Sequence, residues 1–345
     1  MIFSPFAFFN YSHVSPGEKR NISFIVKLCS VIILVLATTN ERCRGQEPGS
    51  GTGYQMVLIN NPAFAGSNGD GSLRMSYVNY LPGNGYNLHS VWVSYDSYFP
   101  VLHGGAGFAV TDDYTGGIIN DLRAAMSYSY SIQLGRDLFI NAGLSASVIH
   151  RGFNFGGAVL PDQIDPLGGA SLPSAEALAY NGETLFDLGA GLVLMSERFF
   201  GGISVTHLNE PGFTETGPSD EKLKRTLFSY VAGDFGLGSK NDLRIRPQIF
   251  SAVREGYLYA AAGASVEVPL FSISVLAIRD GAKNLNLQPG FSFTKGNLSI
   301  YYNYTFSVAS GNNLMPFSLL HQTGLAYSLN NVEKRNSIKT INFPK

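Results

Sequence analysis

From Ser72 to Leu329 the polar and apolar residues of this chain alternate with a period of two. Successive side chains of a β-strand point to opposite faces, so each alternating segment makes one apolar and one polar face. In Asn297–Phe306, Leu298, Ile300, Tyr302, Tyr304 and Phe306 share one face; Asn297, Ser299, Tyr301, Asn303 and Thr305 share the other. Leu122, Ala124, Met126, Tyr128, Tyr130, Ile132 and Leu134 oppose Arg123, Ser127, Ser129, Ser131 and Gln133. Leu138, Ile140, Leu144 and Val148 oppose Asn141, Ser145 and Ser147. Fourteen such segments can be drawn: 72–81, 87–98, 103–111, 121–134, 137–151, 184–196, 199–208, 223–236, 241–253, 256–267, 269–279, 284–294, 297–308 and 317–329. Each is close to or above the roughly 9–11 residues with which a tilted strand crosses a bilayer.

The connections have their own rhythm. Phe99-Pro100, Gly135-Arg136, Glu197-Arg198, Ser239-Lys240, Val268 and Lys295-Gly296 are short. Thr111–Asn120, Gly152–Glu183, Leu208–Lys222 and Ala309–Pro316 are long, and Arg254-Glu255 is a short turn where a long loop is expected. An even strand number, with short turns at one end and longer loops at the other, is the plan of a bacterial outer-membrane barrel. The expected fold is all-β: a transmembrane antiparallel up-and-down β-barrel of about 14 strands with both termini periplasmic.

A soluble sandwich would alternate too, but its wet face normally carries Lys and Glu. Here the polar face is mostly Ser, Asn, Gly and Thr, and charged residues make up 14% of the chain. Soluble domains have about 25%. Downstream of residue 45 there is no apolar run of the length a membrane helix needs. Tyr80, Tyr98, Phe99, Phe199, Phe200, Tyr257 and Tyr259 fall near segment ends, where headgroup belts would lie, although β-propensity alone would also enrich them. The net charge is −1, and no basic patch of the kind nucleic acid requires is present.

Lys19, Arg20 and Lys27 precede the short apolar run Leu28–Ala37, which reads as a signal peptide over residues 1–45, with a true start at or after about residue 18. An uncleaved anchor is the other reading of this run. Both cysteines, Cys29 and Cys43, lie in this leader, so a processed chain would carry neither a disulfide nor a thiolate. Residues 46–71 form a lead-in, 72–329 the barrel, and 330–345 a polar periplasmic tail.

Chemistry is hard to find. There is no Gly-x-Ser-x-Gly elbow and no phosphate-binding glycine loop. His89, His103, His150, His207 and His321 are scattered without metal spacing. Asp112-Asp113 with Gly116-Gly117, and Asn68-Gly69-Asp70-Gly71, could suggest calcium, but turn chemistry explains them as well. Gly104-Gly105-Ala106-Gly107 sits inside a strand and is read as a place for bending or close packing. No catalytic residue, cofactor or metal is expected.

Asn61-Pro62-Ala63-Phe64-Ala65-Gly66, placed after a signal and before the first strand, resembles the opening of the PorP/SprF family of outer-membrane proteins. The similarity continues through Gly105–Val110 with Asp112-Asp113 and Gly116-Gly117, then Tyr128–Leu134, then Leu138–Ser145, and covers roughly residues 54 to 329. The segment Gln322–Leu329 resembles the C-terminal assembly signal of outer-membrane barrels, although here it is not terminal. The resemblance implies a non-enzymatic component of the type IX secretion system in the outer membrane of a Gram-negative, Bacteroidetes-type bacterium. It implies export or anchoring of large surface proteins, including gliding adhesins, through their C-terminal sorting domain. The expected partners are that secreted protein, other type IX components and outer-membrane lipid, not nucleic acid.

The Asn-Pro-Ala opening also resembles outer-membrane fatty-acid transporters, so a channel for hydrophobic small molecules is the alternative. Against it, the inferred lumen faces are Ser- and Asn-rich. Asn61, Pro62, Ala63, Phe64 and Gly66 are expected to form a plug or partner-contacting segment across or beneath the lumen, with Pro62 fixing the backbone and Gly66 allowing the turn into the first strand. Phe153, Phe155 and Leu160 in the long loop Gly152–Glu183 are expected to cap the barrel or dock a protein.

Overall fold

The computed structural model describes residues 55–83, 88–135, 137–155, 159, 161–165, 169–170, 173, 182–213, 222–237, 243–281, 284–309 and 318–329. The expected leader, most of the long loop and the tail lie outside these residues. The strands are β1 (Ser72–Tyr80), β2 (Leu88–Phe99), β3 (Gly104–Thr115), β4 (Ile119–Gln133), β5 (Phe139–Phe153), β6 (Glu183–Met195) and β7 (Phe199–Thr206). They continue with β8 (Thr226–Gly233, resuming at Phe235–Leu237), β9 (Leu243–Arg254), β10 (Tyr257–Glu267), β11 (Phe271–Arg279), β12 (Leu285–Lys295), β13 (Leu298–Ala309) and β14 (Ser318–Ser328). Each pairs antiparallel with the next, and β14 returns to β1 from Ser72↔Ser328 to Tyr80↔Leu320. The result is a closed barrel of fourteen strands, one for each alternating segment of the sequence. Because the number is even, β1 begins and β14 ends at the same end, here called the turn end. The other is the loop end.

Two prolines sit within strands, where a missing N–H normally breaks a ladder. Pro247 of β9 lies where β8 is interrupted: pairing stops at Ala232↔Gln248 and resumes at Phe235↔Ile245. Pro289 of β12 faces a gap between Leu287↔Phe306 and Gly290↔Asn303. Both rings point outward and are exposed.

Arg254-Glu255 was the odd short connection. The strands do meet there, through Glu255 and Gly256 at φ 47° and 84°. Two consecutive positive φ values match the twist of a tight hairpin. The expected long loop Thr111–Asn120 does not form. β3 runs to Thr115 and β4 starts at Ile119, and Gly116 and Gly117 turn the chain at φ 65° and 74°. Asp112 and Asp113 stay in the ladder, opposite Leu122 and Asp121, and therefore face opposite sides.

The outward face carries Met75, Tyr77, Phe108, Met126, Leu144, Ile273, Phe291 and Ile300, all exposed. The inward face has two characters. On one side it is polar: Ser76, Ser90, Ser94, Ser129, Asn141, Ser299, Asn303 and Gln322 are buried. On the other side, mostly β6 to β11, Val193, Met195, Phe200, Phe228, Tyr230, Phe250, Ala261, Leu276 and Ile278 form one apolar cluster. The expectation of a Ser- and Asn-rich lumen thus holds for half the wall. Five of the expected belt aromatics, Tyr80, Tyr98, Phe200, Tyr257 and Tyr259, are also misplaced and lie on inward positions. Adjacent residues such as Phe199 and Phe200 must face opposite ways, so a pair of aromatics at a strand end cannot both join a belt.

Candidate functional site

The lumen holds residues 55–66 of the N-terminal lead-in. Val57–Asn60 makes one α-helical turn (α1), and Pro62–Phe64 a 3-10 turn. Each residue of the six-residue motif has a physical task. Asn61 caps the 3-10 turn: its Oδ1 accepts from the Ala63 N–H at 2.9 Å. Its amide Nδ2 donates to the wall carbonyls of Leu192 (3.4 Å) and Ile203 (3.2 Å). Asn is a preferred N-cap, and proline suits the first position after it because that N–H has no helical partner.

Ala63 and Ala65 lie flat on the wall. The carbonyl of Ala63 accepts from Asn141 Nδ2 at 3.3 Å, and that of Ala65 from Ser129 Oγ at 2.7 Å. The wall is bare where they touch it. A Cβ added to Gly143 would overlap Ala63 N, one on Gly105 the Ala65 carbonyl, and one on Gly191 the Asn61 carboxamide. The glycine-rich start of β3 therefore serves close packing rather than bending.

Phe64 reaches the apolar half of the lumen, edge-on to Tyr230 with ring centroids 6.4 Å apart. Gly66 has φ 65°, and a Cβ there would lie 2.6 Å from Gly105 Cα. Its N–H donates to Asp96 Oδ2 at 2.9 Å, and Arg74 donates to Asp96 Oδ1 at 3.1 Å. Arg74 and Asp96 are both buried, so each charge depends on the other.

The remaining lead-in is anchored on other strands. Ser204 Oγ donates to the Asn60 carbonyl at 2.5 Å. Asn303 Nδ2 donates to Gln55 Oε1 (2.6 Å) and Gln322 Oε1 (3.1 Å), and Gln322 donates to Ser76 Oγ (3.1 Å). Met56 packs with Val78 and Trp92. Residues 55–66 thus cross the lumen and touch β1 to β8 and β13 directly.

The structure places Asn61, Pro62, Ala63, Phe64 and Gly66 together inside the barrel, with Asn61 1%, Ala63 0% and Phe64 2% exposed. None presents a side chain to an external partner in this arrangement. Sequence reasoning missed the residues that receive them: Arg74, Asp96, Ser129, Asn141, Ser204 and the three inward glycines. The signal was available in part. Arg74 and Asp96 are charges flanked on their inward faces by Ser72, Ser76 and Ser94, and Gly105, Gly143 and Gly191 all fall on inward positions.

At the loop end the described parts of the connection after β7, around Phe213 and Leu223, lie over the mouth. Phe213 and Leu223 pack on Ile149 of β5 and Leu185 of β6. The Arg151 guanidinium lies 3.8 Å from the Phe213 ring centroid and pairs with Asp121 through two hydrogen bonds of 2.7 and 2.8 Å. Phe153 ends β5 rather than lying in the loop, and it stacks on Phe155 at 5.9 Å. Leu160 lies outside the described residues.

His207 Nδ1 is 3.0 Å from Asp187 Oδ2, and Ser147 Oγ donates to the same oxygen at 3.4 Å. The carboxylate of Asp187 is thus shared between the Ser147 hydroxyl and the His207 ring. Among the described residues no three His, Cys, Asp or Glu side chains are placed to share a metal.

The family described as type IX secretion system membrane protein PorP/SprF matches residues 53–327. No curated protein matches the sequence. Similar solved structures include the Pseudomonas putida toluene transporter TodX (12% identity, TM-score 0.47, covering 81% of this chain and 95% of that one). Another is the Acinetobacter baumannii outer membrane protein Omp33 (9%, 0.42, 76% and 99%). A third is CdiB from Acinetobacter baumannii (8%, 0.44, 75% and 60%). The matched span begins just before the luminal segment and ends within β14, and the chain belongs to the PorP/SprF family of type IX secretion system membrane proteins, built as an outer-membrane β-barrel.

Proposed function

We propose that the chain is a non-enzymatic outer-membrane platform that helps export or anchor large surface proteins through their C-terminal sorting domain. The observation that supports this best is the filled lumen. Residues 55–66 cross it with hydrogen bonds to several strands, which supports a barrel that does not itself serve as the path of a large passenger. Partner contact then falls to the loop end, where Phe153, Phe155 and the connection holding Phe213 sit, with the termini in the periplasm. The motif acts indirectly, by closing the barrel beneath that surface.

The test is recovery of the tagged protein from native outer membranes in mild detergent, with its companions identified by mass spectrometry. Enrichment of a large secreted protein with a C-terminal sorting domain, over a control barrel, is the expected result. Substituting Pro62 and Gly66 should then impair display of that protein more than barrel insertion. Normal display in such a variant would remove the motif from the mechanism.

A second reading keeps one observation in its favour. The apolar half of the lumen around Phe64 would suit a hydrophobic small molecule once the luminal segment moved. Recovery of the barrel with bound fatty acid and no protein companion would favour it.

A further inference from the structure

Five outward-facing residues stand in register across the seam where the barrel closes. Tyr114 of β3 is opposite His89 of β2, and His89 is opposite Asn79 of β1. Asn79 is opposite His321 of β14, and His321 is opposite Tyr304 of β13. The row lies toward the loop end. The His89 ring stacks on Tyr114 at 5.1 Å and 15°. His321 lies 4.9 Å from the Tyr304 ring, and its Nδ1 is 2.6 Å from the Tyr302 hydroxyl.

The rows beneath set its depth. One step toward the turn end are Asp112, Val91, Tyr77, Thr323 and Tyr302. The next row is Val110, Val93, Met75, Leu325 and Ile300, which is apolar throughout. Each step is two residues, about 6.6 Å along a strand. The His-Asn-His row therefore lies two steps toward the loop end from a wholly apolar row and is continuous with the lipid-facing belt.

Tyrosine at this level is ordinary girdle chemistry. Two histidines flanking an asparagine are not. They add N–H donors at fixed spacing, since neighbouring strands lie about 4.8 Å apart. The Tyr302 hydroxyl and Nδ1 of His321 share one hydrogen bond, its donor set by the ring's tautomer. Asp112 is the acidic group of these rows, and it lies on β3, beneath Tyr114 and away from β14.

We propose that Asn79, His89 and His321 form a site for the phosphate-bearing headgroup of a membrane lipid in the leaflet at the loop end. The phosphate sits on the Asn79–His321 side, away from Asp112. The acyl chains run down over Met75, Leu325 and Ile300. The site depends only on the barrel standing in a membrane, so it stands or falls apart from the secretion role.

Titration of the detergent-purified protein with dioleoyl phosphatidylglycerol, read by native mass spectrometry, tests it. Dioleoyl monogalactosyl glycerol is the phosphate-free control lipid. His89→Phe and His321→Phe keep the aromatic packing and should each weaken phosphatidylglycerol binding about tenfold, the loss expected for one hydrogen bond to a charged group. Binding of the galactolipid should not change. Asn79→Ala, which disturbs no ring, should act in the same direction and keeps the test open where a histidine variant does not close its barrel. Equal phosphatidylglycerol binding by wild type and variants would overturn the proposal. So would parallel loss of both lipids, which would leave only an apolar belt. Displacement of the lipid by inorganic phosphate would assign the row to a soluble anion instead.

Discussion

The Gly66 main-chain N–H donates to Asp96 at 2.9 Å, from within the segment that crosses the lumen to the inner wall of β2. Arg74 holds the other oxygen of the same carboxylate at 3.1 Å, so one buried ion pair fixes the point where the luminal segment turns toward β1. Removing one partner of such a pair strands a charge and costs about 3–5 kcal/mol, whereas removing both costs less. Arg74→Ala should therefore destabilise the barrel more than the Arg74→Ala, Asp96→Ala double variant, measured by urea unfolding in detergent. A double variant weaker than either single one would show that the pair does not act as a unit.

The bare patches on the wall make a sharper prediction about closure. Gly143 faces Ala63, and its neighbour Ala142 faces outward and is exposed. Gly143→Val should push the luminal segment off the wall and raise ion conductance in planar bilayers several-fold over a nearly closed wild type. Ala142→Val, one residue away, should leave conductance unchanged. Equal behaviour of the two variants would mean that residues 55–66 do not seal the barrel.

How much of this was legible in the sequence differs by element. The fourteen strands were, because period-two alternation is a local signal and each strand buries only one face. Asp112 and Asp113 were misread as loop because Asp and Gly are turn residues, while the ladder opposite Leu122 and Asp121 is a long-range fact. The motif Asn61–Gly66 could be placed near the lumen, but not on Ser129, Asn141 or the Ile203 carbonyl, since those contacts span 64 to 142 residues and no local pattern encodes them. The apolar half of the lumen escaped for a related reason. Phe228 and Tyr230 alternate with Leu227 and Val231, so both faces of β8 are largely apolar and its period carries little contrast.

Phe64 joins the two halves of the interior, and its replacement should be costly. It is buried among Phe200, Tyr230 and the rest of the apolar wall. Truncating a buried phenylalanine leaves a cavity and costs about 3–5 kcal/mol. Phe64→Ala should lower the urea midpoint strongly and Phe64→Leu much less, because leucine refills most of the volume. If the luminal segment were loosely seated, the two variants would unfold alike and close to wild type.

At the loop end Arg151 is bound on both sides, to Asp121 by two hydrogen bonds and to the face of Phe213. Phe213 belongs to the connection after β7, whose return is marked by the bridge Gly212↔Lys222 and the buried Leu223. Arg151→Ala removes the cation over the ring and leaves Asp121 without that partner, so the connection should lift from the mouth while the strands stay closed. Trypsin added to intact cells should then cut after Lys222 or Lys224 several-fold faster than in wild type. Arg151→Lys keeps the charge but not the planar two-bond geometry or the flat stacking, and should fall between the two. Unchanged cleavage in Arg151→Ala would mean that Leu223, Ile149 and Leu185 alone hold the cap, and Leu223→Ala would then be the variant that releases it.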